Sequence, residues 1–180
     1  MKSRRTTAAT RLRIYSDPLQ HALIAAAVAG PLVPRAGRGV LATAVAPALA
    51  IDVDHVLAAR SVRVRATTSL ATRPRTHSLL TAGLVGAAVT ATAGPLHGWA
   101  ATGGLVSHLL HDAGDRAAPT PLLWPLRPAR QIGRRRQVAG TAALALASAA
   151  VSGAWAAAGR RRPSAAGGGD GGAAARPRTG

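Results

Sequence analysis

Residues 76–111 form a stretch of 36 positions without a single formally charged side chain. One helix crosses the hydrocarbon core of a bilayer with about 20 residues, so the stretch is too long for one span and long enough for two short ones. Gly94 and Pro95 lie near its middle and form a strong helix breaker. The stretch therefore predicts two apolar helices joined at that pair.

Three further apolar runs alternate with arginine-rich connections, and they comprise residues 18–34, 39–59 and 137–159. The chain is 48% hydrophobic, yet it has only three Trp, one Tyr and no Phe. Small apolar residues fill a water-soluble core poorly, but they suit helices that approach closely in lipid. The predicted fold is all-α, a polytopic membrane helical bundle of four to five spans.

The N-terminal residues 1–17 are polar and basic, and Ser16 or Asp17 can cap a helix that begins at Pro18. A basic segment before an apolar run also occurs in export signals. This run contains His21 and lacks a convincing small-residue cleavage site, so it is interpreted as a retained span. The predicted organisation is a basic segment at 1–17, a membrane-embedded domain at 18–160 and a disordered tail rich in Gly, Ala, Pro and Arg at 161–180.

The net charge of +17 comes from 23 Lys and Arg against six acidic residues. The basic clusters flank the apolar runs and no aromatic residues alternate with them, which favours contact with lipid headgroups over nucleic acid as a partner. The absence of cysteine excludes disulfides and thiolate metal sites. These features predict a multi-pass protein of the cell membrane.

Only six acidic residues and six histidines occur in the chain, and three of them, Asp52, Asp54 and His55, cluster within an apolar run. On a helix Asp52 and His55 share a face, while Asp54 is expected to point elsewhere. Ionisable groups at that depth in a membrane are costly unless they have partners and a function. The alternative is a helix end with solvated acids.

A second pair, His108 and Asp112, has the four-residue spacing by which one helix presents two ligands to one ion. His111 either shares that site or lies at an interface. His21 and His77 occur singly near the starts of two apolar runs, where a lone histidine is more often a packing residue than a ligand.

Threading the runs alternately through a membrane places all of these residues on one side. The arginine-rich connections 60–75 and 127–136 lie on that side, and the turn at 94–98 has no Lys or Arg, so the site is predicted to face the cytoplasm. His97 falls on the opposite side, at the interface. The proline-rich residues 119–128 are expected to form a loop or a re-entrant segment over the site.

Three motifs in this order resemble the YdjM-like family of inner-membrane proteins, described as LexA-binding proteins or as membrane-bound metal-dependent hydrolases. They are Asp52-x-Asp54-His55, Arg73-x-x-Thr76-His77-Ser78, and Ser107-His108-Leu109-Leu110-x-Asp112 followed by Leu122-Leu123-Trp124-Pro125. The resemblance covers about residues 18–160 and implies roles for the polar residues of the motifs. The family usually has His where this chain has Thr72, and Thr where it has Asp115.

The predicted function is that of a membrane-bound metal-dependent hydrolase. A divalent ion, with Zn²⁺ the first choice, would activate water and be held by ligands drawn from His21, Asp52, His55, His77, His108 and Asp112. Asp54 is the expected general base, and Arg73 would neutralise an anionic substrate, for which a lipid, a phosphorylated amphiphile or another small molecule is the candidate.

Two other classes of function remain open. In the first, the same side chains form a structural metal site or a buried polar network in a non-catalytic membrane protein. In the second, the basic chain binds nucleic acid or a regulator, for which the LexA-binding description is the only support.

Overall fold

A computed structural model describes residues 8–115 and 118–160 of the chain, and within those ranges the regular structure is helical. The helices are α1 (Ala8–Ala29), α2 (Val33–Ala36), α3 (Gly39–Ala50), α4 (Val53–Ala59), α5 (Val64–Thr67), α6 (Leu79–Ala93), α7 (Pro95–Gly114) and α8 (Arg134–Arg160). A short 3-10 turn, Gly30–Leu32, joins α1 to α2. Among the described residues the only β pairing is an isolated bridge between Thr120 and Arg130. The prediction of an all-α fold is confirmed.

Helix α7 is the centre of the fold, because α1, α3, α6 and α8 all pack against it. Small residues allow these close approaches. A Cβ atom added at Gly104 of α7 would collide with the backbone carbonyl of Ala44 in α3. The close approach of α7 to α3 therefore requires a residue without a side chain at position 104.

This close contact gives a stability prediction. We expect Gly104→Ala to lower the free energy of unfolding by about 1–3 kcal/mol, since overpacking a tight helix contact displaces backbone. Thermal unfolding in detergent measures the effect. The matched control is Gly83→Ala on α6, where an added Cβ meets nothing within 4 Å, and where replacing glycine in a helix gains up to about 1 kcal/mol. Equal behaviour of the two variants would show that the α3–α7 contact is not close-packed.

Two predicted helix boundaries have different outcomes. The break at Gly94 is confirmed: its φ is +90°, which glycine tolerates, and Pro95 begins α7. The predicted helix start at Pro18, with Ser16 or Asp17 as its cap, is wrong because α1 already begins at Ala8 and continues through the proline. A proline inside a helix costs one backbone hydrogen bond and about 3 kcal/mol, which does not oblige the helix to begin there.

The apolar run 39–59 is not one uniform helix, because α3 ends at Ala50 and α4 begins at Val53. The intervening turn is tight: the Asp52 N–H lies 3.4 Å from the Leu49 carbonyl, and the His55 N–H lies 3.1 Å from the Asp52 carbonyl. Such three-residue spacing places residues i and i+3 directly above one another, which α-helical geometry does not. The polar residues of this run therefore lie where the helix is interrupted.

Large apolar side chains lie exposed on the surface of the fold, while its interior combines apolar clusters with buried histidines and a carboxylate. Leu23, Leu57 and Leu146 are 60%, 71% and 72% exposed, whereas His77 and His108 are fully buried. Two helical stretches, Gly39–Ala59 and Arg134–Arg160, are long and apolar enough to cross a membrane, and α6 is a shorter apolar helix. Four to five spans stay a prediction. The predicted tail at 161–180 lies outside the described residues, as do residues 1–7.

Candidate metal centre

Four predicted ligands converge on one point from three parts of the chain. Asp52 comes from the turn between α3 and α4, His77 from the segment just before α6, and His108 with Asp112 from α7. One ligand atom of each lies within 4.8 Å of the others. The Nε2 atom of His108 is 3.4 Å from Asp52 Oδ1 and 3.2 Å from Asp112 Oδ2. The Nε2 atom of His77 is 3.6 Å and 3.3 Å from the same two oxygens.

The ligand atoms of His77, His108 and Asp112 are buried, and the one positive group beside them in the described part of the chain is Arg73, whose Nη1 is 3.0 Å from Asp112 Oδ2. His77 and His108 are fully buried and Asp112 is 1% exposed, yet Nε2 of both rings and both oxygens of Asp112 have no hydrogen-bond partner among the described residues. Buried polar atoms are nearly always satisfied by a protein group, water or ion. The arrangement of donor atoms therefore fits a cation.

Local backbone interactions fix His77 in this position. The His77 N–H donates to the Pro74 carbonyl at 3.0 Å, and the next residue, Ser78, caps α6 by accepting from the Thr81 N–H. The Leu79 N–H donates to the Leu122 carbonyl at 2.9 Å. The loop predicted at 119–128 is thus confirmed as irregular chain, and it fastens the segment that carries His77.

Asp54 lies behind the centre and orients His77. Its Oδ2 is 3.0 Å from His77 Nδ1 and also accepts from the Thr76 hydroxyl, while its Oδ1 is 3.2 Å from His55 Nδ1. A carboxylate on Nδ1 holds the proton there and leaves Nε2 free for an ion. The expectation that Asp54 points elsewhere was wrong, because the interrupted helix turns it toward the cluster.

Arg73 touches the centre from the side of Asp112. Its guanidinium Nη1 is 3.0 Å from Asp112 Oδ2 and 3.4 Å from His55 Nε2. The Arg73 N–H also donates to the Pro119 carbonyl at 3.1 Å, which ties its backbone to the loop. The structure thus places His55 between Arg73 and Asp54, at the edge of the four-ligand group.

The electrostatics around His77 reflect an excess of carboxylates. Burial alone would lower the pKa of His77, but the carboxylates of Asp112, Asp52 and Asp54 outweigh it and raise the pKa to about 10. A metal ion bound through His77 Nε2 would displace a proton from the ring, since a ligating imidazole is neutral.

A second group lies on the other side of Asp112. His21, 2% exposed, stacks on His108 with ring centroids 3.8 Å apart, and its Nε2 is 3.7 Å from Asp112 Oδ1. Asp17 and His111 complete this group, with Asp17 Oδ1 3.5 Å from His111 Nε2 and 4.0 Å from His21 Nε2. His21, predicted as a ligand of the same ion as His108, therefore lies next to that group without being one of its four members.

Sequence reasoning missed Asp17 and left His111 undecided. The signal was present, because Asp17 and His21 have the same four-residue spacing as His108 and Asp112. Starting the helix at Pro18 assigned Asp17 to a cap and hid that spacing. Gln137 of α8, whose side-chain nitrogen lies 3.1 Å from His111 Nδ1, had no signal in the sequence.

His97 lies apart from these groups, as predicted. Its Nδ1 is 2.9 Å from the Thr43 hydroxyl, and it belongs to none of the His and Asp groups of the described residues. Thr72, where the resembled family has His, is exposed beside Arg73. The four-ligand group thus forms without a ligand at that position.

An apolar helical fold with histidines and carboxylates inside it defines a membrane protein with a buried polar site. The family model described as YdjM inner membrane protein matches residues 17–167, and the chain belongs to this family. No curated protein and no solved structure matches the chain. The resemblance inferred from the three motifs is therefore confirmed.

Proposed function

We propose that the protein is a membrane-bound metal-dependent hydrolase whose ion is held by Asp52, His77, His108 and Asp112. The observation that carries this proposal is the convergence of four ligand atoms, of which those of His77, His108 and Asp112 are buried without hydrogen-bond partners among the described residues. Two carboxylates and two neutral imidazoles balance the charge of one divalent ion. A buried group of this kind is expensive in a membrane protein unless it serves a function.

Zn²⁺ is the ion that the distances favour. A tetrahedral ion with bonds of about 2.0–2.1 Å separates its ligands by about 3.3–3.4 Å. The four N–O separations range from 3.2 to 3.6 Å. An octahedral ion with equally short bonds needs separations of about 2.8–3.0 Å. Nitrogen and oxygen ligands in this spacing support zinc over magnesium.

The surrounding residues suit hydrolysis of an anionic amphiphile. A divalent ion at this place supplies Lewis acidity toward water and toward a phosphoryl or carbonyl oxygen. Asp52 has a 38% exposed side chain and forms the open side of the group. Arg73 lies beside Asp112 in the group, and its positive charge can attract an anionic group of the substrate. Because the apolar surface adjoins the site, a lipid or phosphorylated amphiphile is the proposed substrate class.

The proposed orientation places the site at the cytoplasmic face of the cell membrane. Its support is the positive charge of the connection 60–75 and of the chain from 127 to 136, compared with the turn at 94–98. His97, at the beginning of α7, marks the opposite end of the helix that carries His108.

A structural metal site is the second candidate function, and one observation favours it. Four protein ligands fill a tetrahedral ion completely, as in structural zinc sites, whereas catalytic sites keep one position open. The ion would then tie together the turn at Asp52, the segment at His77 and helix α7. The catalytic role requires that water or substrate take the place of Asp52, whose side chain is 38% exposed, as a ligand of the ion. The structural role does not require this exchange.

The test combines metal analysis with hydrolysis assays on tag-free protein purified in detergent. We expect wild-type protein to contain zinc and to hydrolyse a phosphodiester or ester amphiphile in mixed micelles, with the activity lost on chelation and restored by Zn²⁺. His108→Ala should lose both zinc and activity, and Asp52→Ala should bind zinc more weakly.

The matched control is His97→Ala, which should retain both properties. Equal loss of metal in His97→Ala and His108→Ala would remove the proposed site. Zinc binding by wild-type protein without hydrolysis, together with a fall in melting temperature on chelation, would replace the catalytic role with the structural one.

A further inference from the structure

The two oxygens of Asp112 face two different groups of ligands. Oδ2 is 3.3 Å from His77 Nε2 and 3.2 Å from His108 Nε2, in the proposed zinc site. Oδ1 faces the other way, 3.7 Å from His21 Nε2, and makes no hydrogen bond although the side chain is 1% exposed. An unsatisfied carboxylate oxygen at that depth calls for a positive partner.

We propose that Asp17, His21 and His111 form a second divalent cation site and that Asp112 bridges the two ions. This inference rests on the proposed function, because Asp112 is shared with the first site. A carboxylate that binds one ion through each oxygen sets two ions about 3.5–4 Å apart, the spacing of two-metal hydrolytic centres. The stacking of His21 on His108 keeps the two sets of ligands side by side.

The separations within the second group support a cation more than direct hydrogen bonds. An N–H···O bond has a donor–acceptor distance of about 2.7–3.2 Å. Asp17 Oδ1 is 3.5 Å from His111 Nε2 and 4.0 Å from His21 Nε2, and His21 Nε2 is 3.7 Å from Asp112 Oδ1. These distances are too long for hydrogen bonds. They also exceed the separation of about 3.3–3.4 Å around a tetrahedral zinc ion, so the ligands would move inward on binding one.

Turning the side-chain amide of Gln137 by 180° gives His111 the tautomer that binds an ion through Nε2. The amide lies 3.1 Å from His111 Nδ1. A 180° rotation of an amide exchanges its oxygen and nitrogen. When the oxygen faces the imidazole ring, the proton lies on the Nδ1 atom of that ring. Nε2 then presents its lone pair to Asp17 and His21, which is the arrangement of metal-bound histidines.

The second site is more accessible than the first. The side chain of Asp17 is 53% exposed. A groove between α1 and α8, lined by Gln20, His111, Arg134 and Gln137 at its polar end, opens beside it. An ion bound by Asp17 therefore exchanges with solvent more readily than one bound by the fully buried His77 and His108.

The test counts Zn²⁺ ions bound by the metal-stripped, tag-free full chain in detergent, using equilibrium dialysis against Zn²⁺ alone followed by elemental analysis. We expect about two ions per wild-type chain, of which the weaker is lost in Asp17→Asn and in His111→Gln. Asp115→Asn and His97→Gln are the matched controls and should retain both ions. Asp52→Asn should weaken the other, tighter ion.

A second readout tests the bridge itself. In Co²⁺-loaded wild-type protein, two ions that share Asp112 should give a magnetically coupled signal. Asp17→Asn should convert it to the signal of one isolated ion. Unchanged melting temperatures would show that the variants are folded.

Each outcome decides between the two proposals. If wild-type protein binds one Zn²⁺ that survives Asp17→Asn and is lost in His108→Ala, the second site is wrong and the proposed zinc site stands. If two ions bind without magnetic coupling, the bridge through Asp112 is wrong. If wild-type protein binds no Zn²⁺, both proposals fall.

Discussion

Asp112→Asn is expected to weaken zinc binding more than any other substitution that preserves the shape of the side chain and to abolish hydrolysis. Asp112 is 1% exposed and its Oδ2 lies within 3.3 Å of His77 Nε2, His108 Nε2 and Arg73 Nη1. Removing one partner of a buried charged pair costs about 3–5 kcal/mol. This energy corresponds to a loss of roughly 10² to 4 × 10³-fold in affinity. Titration with Zn²⁺ and elemental analysis measure it.

Asparagine has nearly the same shape as aspartate, so the effect of this variant on packing is small. The control is Asp115→Asn, three residues further along the same chain and exposed. A fall in zinc affinity below about tenfold in Asp112→Asn, with normal melting behaviour, would contradict the assignment of Asp112 as a ligand.

The composition of the site could be predicted because its residue types are rare in the chain. Six acidic residues and six histidines stand among apolar runs, so a pair such as His108 and Asp112 at helical spacing is informative. Helical geometry then places both side chains on one face without any knowledge of the neighbouring helices. The 3.2 Å contact between His108 Nε2 and Asp112 Oδ2 is the result.

The different positions of Asp52, Asp54 and His55 relative to the metal centre could not be predicted in the same way. It depends on the tight turn between α3 and α4, for which the sequence Ile51-Asp52 has no breaker residue. An uninterrupted helix would turn Asp54 away from its neighbours. The tight turn instead brings Asp54 within 3.0 Å of His77 Nδ1.

Tertiary packing also decides which histidines share an ion. His21 and His77 are single residues near the starts of two apolar runs, and periodicity gives no information on their distance from α7. The packing of α1 against α7 places His21 on the Oδ1 side of Asp112, whereas the loop contact between Leu79 and Leu122 holds His77 on the Oδ2 side. The sequence therefore predicts the set of candidate ligands but not its separation into two groups.

Small residues around α7 allow the neighbouring helices to pack closely around the polar cluster. Imidazole and carboxylate groups need many close neighbours to exclude lipid, and Gly104 lets the backbone of α3 approach α7 directly. The contact holds the middle of α3 against the helix that carries His108, and Asp52 follows the end of α3 by two residues. Close helix packing and ligand geometry are thus two consequences of the same glycine.

Asp54→Asn is the second substitution with a large expected effect, and it separates two roles for this residue. Asp54 accepts from the Thr76 hydroxyl and contacts Nδ1 of both His55 and His77. If it orients His77, its loss should lower zinc affinity by about 10 to 100-fold, the usual effect of removing a carboxylate behind a metal-bound histidine. The activity should then return to within a few-fold of wild type at saturating Zn²⁺.

If Asp54 is instead the general base predicted from the sequence, added zinc cannot restore the reaction. The value of kcat should then stay about 10² to 10⁴-fold below wild type when the site is full. The measurement is kcat as a function of free Zn²⁺ for wild type, Asp54→Asn and the control Asp115→Asn. The 3.0 Å contact between Asp54 Oδ2 and His77 Nδ1, on the side of the ring away from Asp112, favours the orienting role. We therefore expect a shifted zinc dependence with a nearly unchanged plateau.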